Sequence, residues 1–225
     1  MLKVPGRMRQ ALWSSSEMKR LLPLSALLCL GAALLGPAHA GDKGDKDKAE
    51  KMPETPYYPL KKDTAWVYAA EGKKINVKVT AHEKVGDLLC AKVETDMGGG
   101  VVNIEHLMVK DDGVYRVSVN GEQIKPPYLV LKLPPKMGDS WSVEAKTKGF
   151  DITGKLDNAG EQKIKAGGKE YSAWLVKSAD LKMGGKAAVV ETWYAKDVGM
   201  VKLHFNLPAE KWDRVVELES YTAGK

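Results

Sequence analysis

Cysteine is almost absent from this chain of 225 residues, which has only Cys29 and Cys90. If the segment holding Cys29 is removed, Cys90 is left alone and no intrachain disulfide can form. Histidine is equally scarce, at four residues, and no H-x-x-x-H or C-x-x-C spacing brings ligands together as a zinc site requires. His82, His106 and His204 lie far apart. Beyond residue 40 no apolar run approaches the ~20 residues of a membrane-spanning helix, and no long stretch repeats at a helical period. Residues 41–225 contain no Gly-x-Ser-x-Gly elbow and no Ser-x-x-Lys pair. Gly98-Gly99-Gly100, Gly167-Gly168 and Gly184-Gly185 lack the Gly-Lys-Ser/Thr that completes a phosphate loop, so they read as turns. The carboxylate pair Asp111-Asp112 likewise reads as a turn, where Asp bonds its own backbone. These absences leave no catalytic, metal or cofactor residue to nominate.

The longest apolar segment is at the other end of the chain. Lys19 and Arg20 precede an apolar stretch of 15 positions, Leu21–Leu35, and Ala38-His39-Ala40 follows with small side chains at the two positions a signal peptidase reads. Residues 1–40 are therefore expected to be a leader and signal peptide, with Met18 the natural start and Gly41 the mature terminus. Pro23, Gly31, Gly36 and Pro37 interrupt or end the stretch, which argues against a retained anchor. Cys29 follows Leu27-Leu28 rather than the small residue a lipoprotein signal requires. The expected location is outside the cytoplasm, in the periplasm or beyond the cell.

The leader also carries most of the net charge. The whole chain has 35 Lys+Arg against 29 Asp+Glu. Without the five basic groups and one acidic group of residues 1–40, the balance is 30 to 28, a net of +2. Basic and acidic residues alternate, with no basic stripe, which excludes a nucleic-acid partner. Residues 41–55, GDKGDKDKAEKMPET, are charged and nearly devoid of apolar groups. They read as a disordered tether, with one folded domain over residues 56–225.

Within that domain the period is two. Ile75–Val79, Gly113–Val119 and Met200–Phe205 alternate apolar and polar residues, as antiparallel strands with one buried face do. Glu71-Gly72, Val85-Gly86, Asp112-Gly113 and Asn120-Gly121 break the strands, the last suiting a type I′ hairpin. The fold class is all-β, an antiparallel meander forming a curved half-barrel or a sandwich. Two halves, about 57–125 and 136–221, follow the same order: a tryptophan strand (Trp66, Trp141), an alternating strand, a strand with a central alanine (Ala91, Ala173), then a hairpin with Asp and Gly at its turn. This suggests an internal repeat, with its extra length near Asp157–Ala166 and the Trp193 strand. Pro126-Pro127 and Pro134-Pro135 mark the join.

Aromatic residues are the candidate functional groups. Trp66, Tyr68, Trp141, Trp174, Trp193 and Trp212 suit either a core or an apolar ligand cleft, because tryptophan and tyrosine couple a large apolar body to a polar tip. Trp66, Trp141 and Trp193 are expected to be buried, Trp193 as the anchor under the Asp197–Gly199 turn. In GDLLCAKVET, Leu89, Ala91 and Val93 take the core face, and Cys90 is expected to point to solvent with Lys92 and Glu94.

YYPLKKDTAWVY (57–68), KMGDSW (136–141), ETWYAKDVGMVK (191–202) and RVVELESY (214–221) together resemble a group of exported bacterial proteins of unknown function. The resemblance covers most of residues 57–221 and implies an antiparallel half-barrel similar in style to periplasmic lipoprotein carriers. It assigns no chemistry. The leading expectation is a non-enzymatic envelope protein that binds an apolar ligand or a protein partner. The alternatives are an assembly protein acting through sheet edges and, behind it, an uncharacterised hydrolase.

Overall fold

The computed structural model describes residues 51–225 except Lys148 and Phe150; the signal peptide read at 18–40 and residues 41–50 of the tether lie outside the described residues. Fourteen strands follow one another: β1 (Ala65–Ala70), β2 (Lys73–Val85), β3 (Leu88–Asp96), β4 (Val101–Lys110), β5 (Gly113–Val119), β6 (Glu122–Lys132), β7 (Ser140–Lys146), β8 (Asp151–Ala166), β9 (Lys169–Ser178), β10 (Lys182–Met183), β11 (Lys186–Ala187), β12 (Val189–Ala195), β13 (Gly199–Leu207) and β14 (Trp212–Thr222). All pairings are antiparallel.

The sheet closes on itself, where alternation alone suggested a half-barrel or sandwich. β1 pairs with β14 from Ala65↔Thr222 to Ala69↔Glu217, and β8 pairs with β9, so twelve strands form a barrel in chain order. Each half supplies six of them. Closure removes the unpaired edge that a half-barrel would expose. The β10–β11 hairpin stands outside the ring and pairs with β8 through Lys182↔Thr153 and Met183↔Ile152. It accounts for much of the second half's extra length: residues 179–188 separate β9 from β12, whereas only 97–100 separate β3 from β4. Gly154 allows it to lie close, since a Cβ there would sit 2.7 Å from the Asp180 carbonyl oxygen and the Leu181 Cα.

Inward positions follow the alternation. Trp66, Tyr68 and Ala70 on β1 are buried, as are Ile75 and Val79 on β2, and Val143 and Ala145 on β7. The β5–β6 turn has positive φ at both Asn120 (48°) and Gly121 (79°), as a type I′ hairpin requires. The join between halves is thin. β6 meets β7 at the single pair Lys125↔Lys146, because Pro126 and Pro127 have no N–H to donate. The Trp141 indole closes part of this seam by donating to the Leu129 carbonyl at 2.9 Å.

One end of the barrel is plugged by the segment before β1. Met52 and Thr55 are already buried, so packing begins inside the stretch expected to be a tether. Met52 supplies the apolar contact that the rest of that stretch lacks. Pro56 accepts the Asp197 N–H at 2.7 Å, and Leu60 is held by a 2.7 Å hydrogen bond between its carbonyl and His82 Nε2. Tyr58 wedges between Trp66 and Tyr194, at ring-centroid distances of 6.1 and 5.8 Å. Among the described residues no helix is long and apolar enough to cross a membrane.

Candidate functional site

Inside the barrel lies a cavity of about 180 Å³. Tyr58 sits at its plugged end, and its walls include Ile75, Leu107, Ile152 and Val176. Met183 and Val190 line it towards the other end, where Val101, Val102 and Val189 are exposed large apolar side chains. β4 and β12 stand on opposite walls, and Val189, one residue before the cavity-lining Val190, turns to the outer face. The cavity is slightly larger than the ~150 Å³ apolar cavity that stays dry and accepts benzene, and smaller than the ~300–1,000 Å³ typical of drug-sized pockets. It suits a slender apolar group.

The cavity wall holds one charged pair. Arg116 Nε donates to Glu105 Oε2 at 3.0 Å, and Asn103 Nδ2 donates to Oε1 at 3.2 Å. Arg116 also donates from Nη1 to the Tyr128 hydroxyl, and its guanidinium lies 5.3 Å from that ring's centroid. Glu105 is 3% exposed, and its burial raises the carboxyl above the usual range; Arg116 and Asn103 pull it part of the way back. Burial likewise lifts the phenols of Tyr58, Tyr68 and Tyr194 well above their ordinary value. The lumen therefore holds apolar walls, neutral phenols, one ion pair and, on β6, the carboxylate of Glu122.

A bulge sets the faces of β5 next to Arg116. His106 faces Ser118 and Leu107 faces Arg116, which leaves Val117 without a partner. The extra residue lets Val114, Arg116 and Val119 all take inward positions, whereas strict alternation would turn Val119 out. Glu105 needs no such device, being in step with the buried Asn103, Leu107 and Val109.

Trp66 and Tyr68 line the cavity; Trp141, Trp174, Trp193 and Trp212 are half-buried and are not among its lining residues. Trp66 is 2% exposed and donates from Nε1 to the Val198 carbonyl at 2.7 Å, so it is this tryptophan that anchors the Asp197–Gly199 turn. Tyr68 donates to the Met200 carbonyl at 3.0 Å. The expected burial of Trp193 and of Trp141 is corrected, since both are half-buried. Alternation with Val190 and Thr192 puts Tyr194 in the lumen and turns Trp193 outward, where it pairs with Lys202, whose Nζ lies 5.9 Å from its ring centroid. Trp141 is less buried than Trp66 because it faces the open β6–β7 seam rather than the plug. Trp212 packs edge-on against Phe205 at 5.2 Å. Trp174 pairs with Glu161 on β8 and Tyr194 on β12.

Two side-chain chains sit on the outer wall. His106 joins Ser118 (Nδ1, 2.7 Å) to Glu83 (Nε2, 2.8 Å). This has the members of a Ser-His-Glu relay in an unsuitable arrangement, because the serine is buried and the carboxylate is the exposed member. His204 bridges Glu191 (3.0 Å) and Asp213 (2.7 Å), and the hydrogen bond to Glu191 is the main cause of its raised pKa. Among the described residues no group of three His, Cys, Asp or Glu side chains is placed to hold a metal ion.

The expected exposure of Cys90 is also corrected. It points away from the lumen as expected, yet it is 0% exposed, in a small outer cluster with Met108 and Val117 against which Val85, Leu88 and Tyr115 pack. Its thiol is pushed up to about 11 by burial.

No protein-family model and no curated protein matches the chain. Among solved structures, the chain is similar to a "putative lipoprotein from Parabacteroides distasonis", with a TM-score of 0.50 and 14% identity, over 76% of this chain and 100% of that one. A second likeness is to a "putative exported protein with YmcC-like fold" from Bacteroides fragilis, with a TM-score of 0.46 and 11% identity, over 75% of this chain and 99% of that one. At these identities the first comparison speaks for the barrel fold alone.

Proposed function

We propose that this is an exported, non-enzymatic protein of the cell envelope that carries or senses a small apolar ligand inside its barrel. The observation that supports this most is the cavity of about 180 Å³ walled mainly by aliphatic and aromatic side chains. Small barrels fill their interiors with side chains, and those that hold a ligand leave a gap of this kind. Export rests on the signal pattern at 18–40 and agrees with the name given to the Parabacteroides protein. An assembly role through sheet edges has less to work with, since closure leaves the two residues of β11 and the sparsely paired β6–β7 seam as the free edges of the described sheet.

Native mass spectrometry of the protein purified from its own envelope tests the reading. The expected result is a mass starting at Gly41 with a low-mass apolar adduct that is lost when Ile124 on the cavity wall is replaced by Trp. A bare mass in both proteins, or a retained segment 19–40, would count against it.

A further inference from the structure

The ion pair in the lumen bears on the class of ligand. Glu105 is the deeper partner, at 3% exposure, with both oxygens accepting hydrogen bonds from Asn103 and Arg116. The Arg116 side chain is 19% exposed and also lines the cavity. A guanidinium presents five N–H donors in a planar fork that matches a carboxylate, whereas a carboxylate offers an arriving ammonium only acceptor sites, here the more deeply buried ones. Beyond the pair, aliphatic walls run from Leu107 past Ile75, Ile152 and Val176.

We infer that the ligand is a short, single-chain carboxylic acid, bound with its carboxylate on Arg116 and its chain along those aliphatic walls. The inference rests on the apolar-ligand reading above and adds the head group. Two carboxylates beside one guanidinium would leave a buried negative charge. The balance is restored when Glu105 takes one proton from solvent as the ligand binds, forming an O–H bond and leaving the ligand carboxylate as the counter-ion of Arg116. Burial already favours protonated Glu105. The groups around it are Arg116 on β5, Tyr128 on β6 and Tyr58 from the plug, with Tyr194 beyond Tyr58 on β12, and Glu122 on β6 lines the same cavity, level with Glu105 across Val119. Of these, the buried phenols of Tyr58 and Tyr194 stay neutral, and Glu105 is hydrogen-bonded to Arg116 itself, which makes it the proton acceptor.

Calorimetric titration of the mature chain with octanoate, octanol and octylammonium, each in two buffers of different ionisation enthalpy, tests this. Octanoate is expected to bind tightest and to take up about one proton per ligand from the buffer. Glu105→Gln removes the competing carboxylate. It should tighten octanoate about ten- to a hundredfold, the worth of one charge-assisted hydrogen bond, abolish the proton uptake and leave octanol unchanged. The double variant Glu105→Gln/Arg116→Met, which leaves no buried charge, should bind octanoate more weakly than octanol. Octylammonium binding tightest, or octanoate indifferent to Glu105→Gln, would overturn the inference. Octanol binding with no preference for octanoate overturns the head-group assignment alone, and failure of all three probes overturns it together with the apolar-ligand reading.

Discussion

Trp66 and Trp193 look alike in the sequence and differ in what removal should cost. Trp66 is buried under the plug and hydrogen-bonded to the Val198 carbonyl, so Trp66→Ala should lose ~3–5 kcal/mol, as other large aromatic core deletions do. Trp193 is half-buried over Lys202 on the outer wall, and Trp193→Ala should lose only ~1–2 kcal/mol, the cation–π contact together with part of the ring's apolar burial. Urea unfolding of both variants measures the difference; equal losses would contradict the placement. Cys90→Ser puts a hydroxyl into a small apolar cluster and should cost ~1–3 kcal/mol, more than the ~0.5 kcal/mol of a surface change. With its thiol pushed up to about 11, Cys90 should resist alkylation at pH 8 until the protein unfolds. His204 adds a pH dependence. Its folded pKa is raised, so its contribution is complete below the unfolded value of about 6.5 and is lost as pH rises through the folded one. His204→Gln should therefore narrow the stability gap between pH 6 and pH 9; an unchanged gap would show that the Glu191–His204–Asp213 bridge adds nothing.

Strand direction was legible in the sequence, and strand closure was not. Alternation places Leu89 and Ala91 inward and Cys90 outward, and the structure agrees. The step from outward to exposed failed because Met108 on β4 and Val117 on β5 also turn outward and cover the thiol. Glu105 could have been found, since it shares the face of Leu107 and Val109. Arg116 could be assigned to a face but not to a partner, because the bulge at Val117 depends on pairing with β4. The β10–β11 hairpin was invisible as an element, since two-residue strands carry no period. Its seat on β8 depends on Gly154, whose φ is 138°. Gly154→Ala would force Asp180 and Leu181 outward and should cost ~1–3 kcal/mol, as overpacking does. Faster amide exchange at Lys182 and Met183, with β7 unaffected, would confirm that the damage stays in the hairpin.

At the scale of the molecule, two six-strand meanders close one lumen, and neither can close it alone. Residues 56–133 and 134–225 expressed separately should give poorly dispersed amide spectra, because each would bare its inner face and two long edges; well-dispersed spectra for both would contradict the single-barrel account. A lumen that receives an apolar chain is the centre of the proposed function. Methyl-resolved NMR of the mature protein titrated with octanol tests this most directly. The account predicts shifts at Ile75, Leu107, Ile152 and Val176, which line the lumen, and none at Met108 and Val117 of the outer cluster. Shifts confined to the outer wall, or no shift at saturating octanol, would contradict it.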